Sequence, residues 1–215
     1  MKLSLSFFLL MFSMFMTFTA CGGDVAVNQS IVVEDGEVRT GSLSSVNGNI
    51  TVGENCEIRG DCQSVNGRIK IGNNSSVGDL NSVNGSIDIG EGVKVEGDAS
   101  TVNGGIYFSP GCEITGTVTT INGKVELANS RVRRNIETVN GDIELLKKSV
   151  VEGSIIVEET HGNSGKDRKI TIRLADESVV EGDIIVKGER VDVKVYLSGG
   201  SKVVGNIKNA TVFNE

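Results

Sequence analysis

The chain has no tryptophan, one proline and one histidine, and only two tyrosines and seven phenylalanines in 215 residues. A single proline excludes a Pro-rich linker. The lone histidine, His161, excludes a two-histidine metal site and leaves one candidate base for the whole chain. So few aromatics argue against grooves that stack bases or sugars, and a net charge of −7 argues against a nucleic-acid backbone as partner. The scarce large residues are also unevenly placed. All four methionines and five of the phenylalanines fall within the first twenty residues. From Cys21 onward the only aromatics are Tyr107, Phe108, Tyr196 and Phe213, and all 28 glycines are found there. A core made of what remains must use small aliphatics, which suits a repetitive β structure.

Residues 1–20 read as an export leader. A positive Met1-Lys2 precedes an apolar run from Leu3 to Phe18, then Thr19-Ala20-Cys21-Gly22-Gly23. The run approaches the ~20 residues that span a bilayer, so an uncleaved anchor is the rival reading. Ordinary signal cleavage takes small residues at −3 and −1, and Phe18 is bulky at −3 of a cut before Cys21. Phe18-Thr19-Ala20-Cys21 instead resembles a lipobox, which implies lipidation of Cys21. With Gly22 following, it implies an outer-membrane location in a Gram-negative cell. Several acyl chains on one residue anchor stably where one chain holds only marginally. The expected division is therefore a leader over 1–20, a lipidated tether over 21–25 and a folded part over 26–215, exported and held in the cell envelope by its lipid.

The folded part is one repeat. SVNGNI begins at 45, SVNGRI at 64, SVNGSI at 82, TVNGGI at 101, TINGKV at 120 and TVNGDI at 138, in steps of 18 or 19 residues, with a degenerate AVNQSI at 26. Apolar residues fall into columns. Ile50, Ile69, Ile87, Ile106, Val125 and Ile143 are each followed two residues later by Val52, Ile71, Ile89, Phe108, Leu127 and Leu145. Spacing of i, i+2 puts both on one face of a short strand. A second pair runs through Cys56, Ser75, Val93, Cys112, Ser130 and Ser149, then Ile58, Val77, Val95, Ile114 and Val151. A third column, after a glycine, runs Leu43, Cys62, Leu80, Ala99, Val118, Ile136, Ile155, Ile184 and Ile207. Three short strands per 18–19-residue coil, stacked like over like, predict an all-β, single-stranded parallel β-helix of about nine coils, a rod roughly 40–45 Å long at ~4.8 Å per rung.

The corners account for the glycines. Asn-Gly is the commonest pair where φ turns positive, so the V-N-G corner is expected to be such a turn. Asn47, Asn66, Asn84, Asn103, Asn122 and Asn140 would stack there as an internal or corner ladder, amide bonded to amide. The other glycine corner, such as Gly60-Asp61, Gly78-Asp79 and Gly97-Asp98, suggests Asx and Ser/Thr turns. Its three successive carboxylates raise a cation site. Thr, Asn and Ser share that column, however, and the glycine-rich Ca²⁺ nonapeptide is absent, so no metal and no cofactor is expected.

The repeat breaks between Ile155 and Ile184, where the step is 29 residues. Residues 158–169 fall where a V-N-G corner belongs and predict an extruded loop, the usual binding face of a solenoid. His161, Lys166 and Arg168 are its candidate binding residues, set against the plainer reading of a tolerated polar loop. Arg131, Arg133 and Arg134, with Lys147 and Lys148 one coil on, form the one basic cluster. They are candidates for anionic headgroups or envelope polysaccharide, against the alternative of a solvated face. Cys56 and Cys112, three rungs apart, are too distant for a disulfide, and buried thiols are the favoured reading. A Cys56–Cys62 bridge stays open.

An enzyme is the outsider. A hexapeptide-type acyltransferase needs a histidine base, which only His161 supplies, and a carbohydrate-active β-helix needs clustered carboxylates in a groove walled by long loops. The S/T-V-N-G-x-I coil resembles exported bacterial repeat proteins that include adhesin-like ones, and the three-strand coil is similar to the bactofilins, polymer-forming cytoskeletal proteins. That resemblance implies a right-handed solenoid and end-to-end assembly. Unpaired strands at a solenoid's ends give assembly a physical basis. No capping helix is evident at Asp24–Gln29, whereas Asn209–Glu215 is expected to cover the other end with Phe213 as plug. The expected role is a non-enzymatic, lipid-anchored structural or adhesive envelope module, with self-association through the ends into a filament scaffold as the alternative.

Overall fold

The computed structural model describes residues 23–159, 168–188 and 190–215. Every described strand is parallel to its neighbours. Three sheets of ten, ten and nine strands run along the rod, each taking one strand from every coil in turn. The first sheet begins at Asp24–Ala26, the second at Ile31–Val33 and the third at Val38–Arg39. The result is a β-solenoid of about ten coils, one more than the repeat count predicts. The extra coil lies at the start, where Asp24 pairs with Leu43 and Ala26 with Ser45. Coils are numbered from Asp24, Leu43, Cys62, Leu80, Ala99, Val118, Ile136, Ile155, Ile184 and Ile207.

Coils 1–7 each turn six side chains inward, two per sheet, and the longer second-sheet strands of coils 8 and 9 add Ile170 and Val193. The aliphatic columns are in register as the spacing requires: Leu43 lies on Cys62, Cys62 on Leu80 and Leu80 on Ala99. Ile50, Ile69, Ile87 and Ile106 stack likewise in the second sheet. Nearly all of these side chains are fully buried in a single core cluster. Full burial of each contributes about 1.5–3 kcal/mol relative to exposure.

Two inward columns are polar, and both are satisfied. Ser45, Ser64, Ser82, Thr101 and Thr120 each donate to a carbonyl at the V-N-G corner of the coil before: Ser64 Oγ to Gly48 at 3.2 Å, Thr101 Oγ1 to Gly85 at 3.2 Å, Thr120 Oγ1 to Gly104 at 3.2 Å. In the third sheet, Ser75, Ser130, Ser149, Ser178 and Ser201 accept a backbone N–H from the preceding coil, as Cys56 N–H to Ser75 Oγ at 2.9 Å and Ser149 N–H to Ser178 Oγ at 3.2 Å. Among the described residues no buried side-chain N or O lacks a partner. Buried hydroxyls would otherwise cost 1–3 kcal/mol each.

The corners correct two expectations. Asn47, Asn66, Asn84, Asn103, Asn122 and Asn140, with their glycines, do not have positive φ; of this column only Asn28 in coil 1 does. Left-handed residues recur instead at the corner between the second and third sheets, as at Asn55, Asn74, Gly92, Gly111, Asn129, Lys148, Glu177 and Gly200; between the first and second sheets they are found at Asn28 and Asn209, in the first and last coils. At the V-N-G corner the glycine serves close approach. A Cβ on Gly104 would fall on the carbonyl oxygen of Gly85 one rung below, and the same holds from Gly48 to Gly141. The Gly-Asp corner is likewise not built from Asx turns. Each side chain there reaches to the next rung: Asp61 Oδ1 accepts the Asp79 N–H (3.0 Å), Asp79 Oδ1 that of Asp98 (2.8 Å), and Asp98 Oδ1 that of Thr117 (2.7 Å). Asn135, Ser154 and Asp183 continue this ladder toward the C-terminal end.

Candidate functional site

The outer surface is organised as ladders, and the asparagine column is the longest. Asn47 Nδ2 donates to Asn28 Oδ1 at 2.7 Å, and Asn66, Asn84, Asn103, Asn122 and Asn140 follow, each donating to the asparagine one coil earlier at 2.8–3.0 Å. The ladder is exposed, hence a corner rather than an internal feature. All its amide dipoles point the same way, so the Asn140 end is the negative one.

Arg168 sits at that end. Its guanidinium donates to the Val139 carbonyl, to Asn140 Oδ1 (3.4 Å) and to the Glu158 carbonyl (3.4 Å). Burial lowers its pKa against the opposing pull of Glu159. A residue first read as a loop candidate therefore terminates the ladder. It also belongs to a strand: Arg168–Leu174 is seven residues long and pairs along its full length with Val191–Leu197. These two strands take the place of the missing V-N-G corners. Of the loop candidates, His161 and Lys166 lie outside the described residues, as does Cys21.

The basic cluster is divided by the third sheet. Arg131 is on its outer face and bonds Glu152 at 2.8 Å. Arg133 pairs with Glu113 at the corner leading to the first sheet, where Arg134 is also exposed. Lys147 and Lys148 are at the opposite, left-handed corner, and Lys148 lies 3.4 Å from Glu177. Beside Arg131, a shallow depression of about 640 Å³ is lined by Val150, Val179, Glu181, Lys202 and Val204.

The second sheet carries a further outward column. Lys124 bridges Glu126 (2.8 Å) and Glu144 (2.7 Å). Burial opposes its charge, but the two carboxylates prevail and its pKa is raised. Farther along, Arg173 packs 5.5 Å from the Tyr196 ring centroid, and Phe213 stacks on Tyr196 with centroids 4.9 Å apart. Phe213 is thus on the outside, paired in register with Tyr196, and is not a plug. The reason is parity: Val195 points inward, so the next residue, and the one paired to it, must point out.

Among the described residues Cys56, Cys62 and Cys112 are free and buried, with no Cys56–Cys62 bridge. Burial, helped by Asp61, pushes the Cys62 thiol up to about 12. Burial also raises Cys112, whose Sγ lies 2.9 Å from the Gly90 carbonyl oxygen. In the carboxylate column, burial raises the pKa of Asp79, and Asp61 and Asp98 add to it, against the lowering effect of the Asp98 N–H bond. Among the described residues no three His, Cys, Asp or Glu side chains converge on a metal position.

Sequence reasoning missed the N-terminal end. In coil 1 the positions that are aliphatic or small elsewhere are held by Asp24, Glu37 and Arg39. Arg39 bonds Glu37 at 2.8 Å and Asp24 at 3.4 Å, which closes that end of the core with charge. The signal was available: charged residues stand in inward columns only there. Comparison with family models, with curated proteins and with solved structures gives no match for this chain.

Proposed function

We propose that this chain is an exported lipoprotein whose β-solenoid stands on the membrane as a non-enzymatic structural or adhesive module of the cell envelope. The observation that carries the reading is the placement of Cys21. The lipobox-like Phe18-Thr19-Ala20-Cys21 ends two residues before Gly23, and the first strand begins at Asp24. A lipid on Cys21 would hold coil 1 at the bilayer surface, and the remaining coils would carry the C-terminal end about 45 Å away. The resemblance of the S/T-V-N-G coil to adhesin-like exported repeats, and of the three-strand coil to bactofilins, supports a structural role. So does the use of the outer polar side chains in rung-to-rung ladders and ion pairs.

The test is metabolic labelling of bacteria expressing the full chain with a clickable fatty acid, followed by membrane fractionation. Label and membrane association should both be lost in Cys21→Ser. A membrane-bound, unlabelled wild type would point to an uncleaved anchor, and a soluble unlabelled one would end the reading.

A further inference from the structure

The asparagine ladder sets one reactive dipeptide at every V-N-G corner. Asn47, Asn66, Asn84, Asn103, Asn122 and Asn140 are each followed by glycine. A glycine nitrogen, with no Cβ beside it, attacks the preceding asparagine's side-chain carbonyl carbon more readily than the nitrogen of a bulkier residue does. The fold restrains five of these asparagines at both ends. Asn47, Asn66, Asn84, Asn103 and Asn122 each donate to the asparagine one coil earlier and accept from the one after, at 2.7–3.0 Å. Turning the side-chain carbon toward its own glycine nitrogen breaks both bonds. The Gly104 N–H is also taken, by the Asn122 carbonyl at 3.1 Å.

Asn140 differs. Its amide donates to Asn122 Oδ1 at 3.0 Å, but no asparagine stacks on it, because Arg168–Leu174 replaces the next corner. Its Oδ1 meets the Arg168 guanidinium at 3.4 Å instead. The same guanidinium takes the Val139 carbonyl, the position at which the Asn140 N–H takes the Ile121 carbonyl one coil earlier. Thr138 turns its hydroxyl to Gly141 of its own corner, and the Gly141 N–H has no backbone acceptor among the described residues. Asn140 is open to water, and the half-buried Arg168 bonds only neutral oxygens among the described residues.

We infer that Asn140-Gly141 is a self-modification site, at which the folded chain converts one asparagine of the ladder into a carboxylate facing Arg168. The Gly141 nitrogen gives its proton to water and forms a bond to Asn140 Cγ. The bond from Cγ to Nδ2 breaks, and that nitrogen takes a proton from water and leaves as ammonia. The five-membered imide then adds one water, which leaves a carboxylate at position 140 in normal or isomerised linkage. The guanidinium beside Oδ1 favours the negative charge that gathers there during attack, and then holds the product in a charge-assisted pair. At the other five positions the new carboxylate also loses its donation to the asparagine before it, and it faces only asparagine amides. The reaction does not depend on lipidation of Cys21.

The experiment is peptide mapping by mass spectrometry of the full chain, kept folded in mild detergent at neutral pH and sampled over weeks, beside the same chain in denaturant. Unfolded, the six pairs should react at comparable rates. Folded, Asn140 should deamidate faster than each of the other five by about tenfold or more. As a second readout, Asn140→Asp should melt no lower than wild type, whereas Asn66→Asp should melt lower by about 2–4 °C. That difference should vanish when Arg168→Gln is added to both. Deamidation spread evenly along the folded ladder, or absent from it, overturns the site. Asn140→Asp melting as low as Asn66→Asp, or a difference that survives Arg168→Gln, overturns the part given to Arg168.

Discussion

Coils 2–7 and coils 8–9 solve the same packing problem with different corners. In the first group a Ser or Thr inside, an Asn outside and a Gly against the neighbouring rung form one unit. The hydroxyl donates to the corner carbonyl of the coil before, except in coil 7, where Thr138 donates to Gly141 of its own corner; the amide extends the ladder, and the absent Cβ lets the rungs touch. In coils 8–9 that unit disappears together. Val157 and Val186 take the hydroxyl's column, and the strands Arg168–Leu174 and Val191–Leu197 pair directly where the corner stood. The aliphatic columns and the third-sheet serines pass through the change unbroken. The rod is therefore set by its inward columns. The corner is a module that can be exchanged, provided all its parts change at once.

Breaking the module in one part should be costly. Gly104→Ala places a Cβ on the Gly85 carbonyl and should destabilise by about 3 kcal/mol. Gly36→Ala, in open space at φ +74, should cost only about 1 kcal/mol. Equilibrium denaturation of the two variants compares close approach with backbone conformation, and equal losses would refute the assignment of the V-N-G glycine to rung contact.

The junction between the two groups comes next. Arg168→Ala removes the guanidinium from the Val139 and Glu158 carbonyls and from Asn140 and should cost about 2 kcal/mol. Hydrogen exchange should rise first around 139–141 and 168–171 while coils 2–5 stay protected. Uniform loss of protection along the rod would show that the two groups are not separable.

The smallest effect concerns the Gly-Asp ladder, which both groups share. Asp79 has a raised pKa in the fold, first because burial opposes its charge, and also because Asp61 and Asp98 repel it. A raised carboxyl favours its protonated form in the folded state, so the associated stability is present below the unfolded pKa and lost as pH rises through the folded one. Asp79→Asn keeps an oxygen for the Asp98 N–H, as Asn135 does for Ser154. It should raise the melting temperature at pH 7 by about 1–3 °C, with the gain vanishing in acid. A gain that persists at low pH would assign the effect to something other than charge.

How much of this was written in the sequence differs from feature to feature. The aliphatic inward columns, the strand register and the asparagine ladder were legible because a solenoid sets residue n over residue n+18 or n+19, and so turns spacing into contact. The role of Ser64 or Thr120 was not, since a hydroxyl's acceptor lies on another coil and has no signature in its own repeat. The assignment of positive φ to Asn-Gly failed for a similar reason. Dipeptide preference describes a local turn, whereas Gly104 answers to a backbone one rung away.

Periodicity by itself thus determined the architecture, the core and the exchange of corners at residue 158. Tertiary structure alone decided where the periodicity ends and what closes it. It places Arg168 on the last asparagine and gathers Arg39, Glu37 and Asp24 over the first coil. A column fixes which residues share a line. Only the folded rod fixes which of them has no neighbour on one side, and there an unpaired charge or strand must find its partner elsewhere.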